Sequence, residues 1–187
     1  ASKAKQDGMG SLEEGKRELT IDLYRKINIW LIEDGSPSAV FARAFLCLTW
    51  NLMCRVDSTD GVCIKHLVWS QDAVGIRFSH TKNDQDGSKN FKPSHCYTNP
   101  EDFALCPITA LFEYMTCFPG SLQDRDDILF PCAEQEDQFR IIIKRLLHGH
   151  EGDLDGYDMR WRILVLTASG RVQQHMHRVA LQQVHQV

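Results

Sequence analysis

Two cations stand out as residues able to handle a phosphate. Arg55 closes the run Leu52-Met53-Cys54-Arg55, and Lys82 lies within Phe78-Ser79-His80-Thr81-Lys82-Asn83. Phosphoryl transfer between nucleic-acid strands needs cations at the non-bridging oxygens and a proton donor at the leaving 5′ oxygen. Arginine grips two phosphate oxygens with one planar fork. Lysine offers a point charge with a transferable proton. Spacing alone leaves a plainer reading open. The helix dipole favours an arginine at a helix C-terminus whatever its role, and a lysine beside a turn is ordinary solvated surface.

For Arg55 to work there, a helix must deliver it. Ser36 as N-cap and Pro37 in the first turn open a helix expected over residues 37–55. It is apolar nearly all round (Val40, Phe41, Phe45, Leu46, Leu48, Trp50, Leu52, Met53), which marks it as the buried central helix. A helix over residues 20–34 precedes it. Thr20 caps that helix, Gly35 suits its left-handed end, and Leu23, Ile27, Trp30 and Leu31 form one stripe.

Lys82 needs a strand pair behind it. Residues 62–69 are rich in β-branched and apolar side chains, and Gln71-Asp72 supplies a turn. Val74, Ile76 and Phe78 alternate with Gly75, Arg77 and Ser79, the pattern of a half-buried strand. A polar turn over residues 83–90, centred on Asp86-Gly87, leads to a third strand near residues 95–98. Pro107 then starts a helix with Ile108, Leu111, Phe112 and Met115 on one face, stopped by Pro119-Gly120. A last helix over residues 134–148 aligns Phe139, Ile142, Ile143 and Leu146. The expected fold class is therefore mainly α with a small three-stranded antiparallel sheet, an α+β domain.

Composition sets limits. The 187 residues suffice for one domain with a real core, and 43% are hydrophobic, too many for a disordered chain. No apolar run approaches the roughly 20 residues of a membrane span, and no export signal is visible. The chain starts at Ala1 rather than Met, which suggests a fragment lacking an upstream part. Residues 1–18 are polar and Gly-containing, the composition of a linker or arm. The seven cysteines form no Cys-x-x-Cys pair and no zinc-finger spacing. They read as reduced structural thiols, and neither metal nor cofactor is expected. A net charge of −4 argues against nucleic acid as a partner, but the charge is unevenly spread. Residues 101–137 are acidic, with Arg125 the lone base. Residues 62–95 are basic and include three histidines.

Residues 43–115 resemble the catalytic domain of tyrosine recombinases, closest to the eukaryotic Crypton-type integrase-like branch. The matching pieces are Leu48-Thr49-Trp50-Asn51-Leu52-Met53-Cys54-Arg55 and Thr81-Lys82-Asn83-Asp84-Gln85-Asp86-Gly87. Tyr97-Thr98-Asn99-Pro100, Cys106-Pro107-Ile108-Thr109-Ala110-Leu111 and Leu129-Phe130-Pro131 follow in order. In such enzymes a tyrosine attacks the phosphodiester and forms a covalent 3′ link to DNA. The resemblance implies that Arg55 is the first catalytic arginine and that Lys82 is the hairpin lysine protonating the leaving 5′ hydroxyl. It also implies DNA as partner and an intracellular location, nuclear in a eukaryote.

The family pattern then breaks. It requires His-x-x-Arg and a later tyrosine, whereas His175-Met176-His177-Arg178 has the wrong spacing and Tyr157 comes too early. Acids vanish after Arg160 while Gln and His become frequent. If Leu166 to Arg171 is encoded CTC ACA GCA TCC GGA AGG, dropping two bases yields His-Ser-Ile-Arg-Lys. The same shift carried outward reads Leu-Gly-Thr-His-Ser-Ile-Arg-Lys-Gly-Ala-Ala-Thr. The expectation is thus a partial catalytic domain over residues 19–159 and an out-of-frame tail over residues 160–187. Such a chain would lack the second arginine, its histidine and the nucleophile, and would be a monomer without DNA. A non-catalytic, domesticated DNA- or protein-binding module of the same fold is the alternative.

Overall fold

The computed structural model describes residues 19–52, 59, 61–77, 93–124, 126–131 and 134–154. Arg55 and Lys82, the turn over residues 83–90 and the tail over residues 160–187 lie outside them.

Helix α1 spans Ile21–Asp34 and α2 spans Pro37–Leu52. Their limits are set by local chemistry. The Thr20 hydroxyl accepts from the Leu23 N–H at 3.3 Å, covering one of the N–H groups that a helix start leaves unpaired. Gly35 ends α1 at φ 60°, where a side chain would be strained, and its N–H donates to the Leu31 carbonyl at 3.2 Å. One residue later the Ser36 hydroxyl accepts from the Ala39 N–H at 3.2 Å, so the second helix begins almost where the first stops.

The central-helix expectation holds. Ala39 and the whole run from Phe41 to Thr49 are buried in α2, and the helix packs against α1, both later helices and the third strand. Those later helices are α3, Pro107–Cys117, and α4, Gln135–Gly149. Phe45 forms the centre of an aromatic cluster with Phe41, Phe130 and Phe139. Tyr114 of α3 joins through Phe130, at 4.9 Å between ring centroids.

The sheet has strand order β1-β2-β3, with β1 Leu67–Trp69, β2 Ala73–Ile76 and β3 Ser94–Tyr97, all antiparallel. The architecture is α+β, mainly helical, as the patterning implies. Two details differ from the expectation. Residues 64–66 form a 3-10 turn, so the first strand starts at Leu67 rather than at Val62. The second strand is buried at all four positions instead of on one face. Val74 and Ile76 face the helices. Gly75 is covered on the other side, where a Cβ would meet Pro93 Cβ at 3.1 Å and His95 Nε2 at 3.2 Å.

On α3 the buried face is Pro107, Ala110, Leu111 and Tyr114; of the expected stripe Leu111 is buried, Ile108 and Met115 pack partly against the core, and Phe112 does not. Phe112 is 57% exposed and leans on Trp69 at 5.6 Å. On α4 Phe139, Ile143 and Leu146 are buried as expected, together with Leu147.

Candidate functional site

The two segments that carry the sequence-derived cations grow from stems whose geometry is described. Arg55 follows the last residue of α2 by three positions. That end of α2 is held from several sides. Trp50 stacks on Tyr24 of α1 at 4.2 Å and 7°. The Asn51 amide donates to the Cys47 carbonyl at 2.8 Å. Thr49 donates to the Phe45 carbonyl at 2.7 Å, and its hydroxyl lies 3.2 Å from that of Thr59, which is itself buried. The chain is thus fixed on both sides of Arg55. Beyond Thr59 it is clamped again: Leu129 N–H donates to the Val62 carbonyl at 2.8 Å, and Ile64 N–H to the Asp127 carbonyl at 3.0 Å.

Lys82 belongs to the connection between β2 and β3. The stem of that connection is the pair Ile76↔Ser94. Arg77 N–H extends the ladder to the His66 carbonyl at 3.0 Å. His66 is anchored in turn, because its Nδ1 accepts from the Cys63 N–H at 3.1 Å. Burial, reinforced by neighbouring Lys65, lowers the His66 pKa, so the ring accepts as a neutral base. Because α2 packs against β3, one helix and one hairpin share a single body.

A polar residue that the sequence reading passed over lies in the core. Arg43, 1% exposed, pairs with Glu113 of α3. It also donates to the Phe103 carbonyl at 2.8 Å and the Ala104 carbonyl at 3.5 Å. Its two terminal nitrogens are engaged by the protein itself and serve architecture, while its buried Nε makes no hydrogen bond among the described residues. It lines a groove of about 440 Å³ between α1, α2 and α3, otherwise walled by Leu31, Val40, Phe112 and Thr109. Apart from the Arg43–Glu113 pair and Cys117, that groove holds no titratable side chain.

Cys47, Cys63, Cys96, Cys106 and Cys117 form no disulfide. No group of three His, Cys, Asp or Glu side chains among the described residues could hold a metal ion. Cys106 caps α3. Burial pushes its thiol up, but N–H donors from Asn99 at 3.4 Å and Thr109 at 3.5 Å favour the thiolate and lower its pKa on balance. Cys47 is fully buried, donates to Asn28 Oδ1 at 3.1 Å, and is pushed up to about 11 by burial. Tyr24, beside it, is raised well above the usual phenol range, first by burial and then by Cys47.

These shifts predict a loss of stability in alkali. The unfolded chain releases the Cys47 proton near pH 9, whereas the folded chain keeps it until about 11. The stabilising difference is complete below pH 9 and fades as pH climbs, by about 1.4 kcal/mol per pH unit per group. Urea midpoints measured at pH 8 and pH 10.5 should fall accordingly, and Cys47→Ala should flatten the decline. A midpoint that stays level across this window would contradict the buried thiol.

Among the described residues, no helix is long and apolar enough to cross a membrane. Compared with protein-family models, with curated proteins and with solved structures, the chain matches none.

Proposed function

We propose that this chain binds duplex DNA as a partial tyrosine-recombinase-like catalytic domain, and that it does not cleave DNA by itself. The observation that carries the reading is the order of elements around the two cations. A buried helix leads to Arg55, and a β2–β3 hairpin packed against that same helix carries Lys82 on its connection. A helix and a hairpin fixed in one body suit two cations that must serve one phosphate, since electrostatic catalysis depends on preorganised charge. Of the resembling motifs, Cys106-Pro107 opens α3, and Leu129 and Phe130 are buried in the core. With the second arginine, its histidine and the tyrosine missing from the sequence pattern, binding is retained and strand cleavage is lost.

Fluorescence anisotropy with a short labelled duplex tests this. Each phosphate contact contributes about 0.9 to the slope of log affinity against log salt. The Arg55→Ala, Lys82→Ala double variant should therefore show a slope shallower by roughly 2. A nicked duplex should yield no covalent protein–DNA adduct with either chain. Equal binding and equal slope for the two chains would remove the phosphate role, and an adduct would contradict the missing nucleophile.

A further inference from the structure

We infer that the outer face of the three-stranded sheet is a second contact surface for duplex DNA, with Arg77 on a backbone phosphate and His95 and Tyr97 beside it. The inference rests on the reading that the chain binds duplex DNA. Its evidence is the register. Directly paired residues of an antiparallel sheet point to the same face. Val74 and Cys96, paired and both buried, define the face toward the helices. Val68, Gly75 and His95 form the next row across the sheet and point the other way, as do Ala73 and Tyr97. Arg77 follows Ile76 and by alternation joins this outer face.

Three features make that face suited to a polyanion. First, the strands place no carboxylate on it, in a chain with 25 acidic and 21 basic residues. The nearest acid by sequence, Asp72, sits in the turn between β1 and β2. Second, Arg77 is exposed, and its side chain pairs with no acid among the described residues. By contrast, Arg25, Arg43, Lys65 and Arg140 are each engaged by a carboxylate. Third, Gly75 leaves the centre of the face without a side chain. The His95 ring lies over it, 6.1 Å from the Tyr97 ring, which is 60% exposed. An exposed guanidinium on the same sheet face as two exposed rings with polar edges is the chemistry that engages a phosphate backbone.

The test compares the full chain with Arg77→Ala, Arg77→Gln, Tyr97→Ala and Arg140→Ala, by anisotropy on a short duplex across a salt series. Either Arg77 variant should make the salt slope shallower by about 1. Tyr97→Ala should weaken binding without altering the slope, because it removes no charge. Arg140→Ala, on α4 and already paired with Glu136, should change neither. If the full chain binds and both Arg77 variants keep its slope, the outer face is not a DNA surface, while the Arg55 and Lys82 reading stands. If the full chain binds no duplex, both readings fall. A loss confined to single-stranded RNA of equal length, with duplex binding intact, would overturn the assignment to DNA.

Discussion

Phe45→Ala should lower the unfolding free energy by about 4 kcal/mol, the largest effect expected of any single truncation in this chain. Phe45 is wholly buried and lies at the meeting point of three parts of the chain. Its ring is 5.7 Å from Phe41 in its own helix, 5.4 Å from Phe130 and 5.1 Å from Phe139 of α4. Removing the ring takes away its transfer free energy and leaves a cavity that three separate elements must close together. The favourable edge contact with Phe130, interplanar angle 67°, is lost as well. Since whole domains are stable by only about 5–15 kcal/mol, the variant should sit near its threshold. Urea unfolding monitored by circular dichroism measures this. Phe112→Ala, at an exposed ring of the same type, serves as reference and should cost about 1 kcal/mol or less. Equal costs for the two variants would show that the aromatic cluster around Phe45 is not the core.

Arg43→Met should be the next most damaging, at about 3 kcal/mol. Methionine fills much of the same volume, so little of the cost is cavity. What disappears is a donor set that ties α2 to Glu113 of α3 and to the carbonyls of Phe103 and Ala104. Glu113 is 45% exposed and can turn to water, so its Coulombic share is modest. The Phe103 carbonyl keeps a bond from the Cys106 N–H at 3.2 Å, but the buried Ala104 carbonyl cannot turn to water, and an unsatisfied buried acceptor costs about 1–3 kcal/mol. Arg43→Lys should recover only part of the loss, since an ammonium lacks the fork that reaches three acceptors. The check is a denaturation series with Glu113→Gln and the Arg43→Met, Glu113→Gln double variant. A cost for Arg43→Met below about 0.5 kcal/mol would mean that these carbonyls find other donors.

Much of the fold was legible because its signals are local. Thr20, Gly35, Ser36 and Pro37 each act on a backbone group within four residues, and the structure uses them at the expected places. The buried α2 was legible for a similar reason: a helix apolar on every side has nowhere else to go. The errors arose where distant neighbours decide. Alternation within β2 placed Val74 and Ile76 inward, but it could not foretell that Pro93 and His95, some twenty residues further along the chain, cover Gly75 on the other side. On α3 the expected stripe was right at Leu111 and in part at Ile108 and Met115, but the buried face is turned toward Ala110 and Tyr114 and leaves Phe112 exposed. Arg43 gave no local sign of its role, because its acceptors lie 60 to 70 residues away. The candidate site was legible in a different way. Arg55 and Lys82 rest on resemblance, and the described structure bears on their stems, not on the two side chains.

The joint between α1 and α2 is only Gly35 and Ser36 long, and this has a consequence for biogenesis. Two helices joined so tightly meet through contacts between near neighbours in the chain, the kind that form fastest. The pair can therefore assemble on the ribosome as soon as residue 52 has emerged. Until α3 and α4 are synthesised, the greasy side of that early hairpin, with Phe41 and Phe45, has no cover. Chaperone demand during translation should concentrate in that interval.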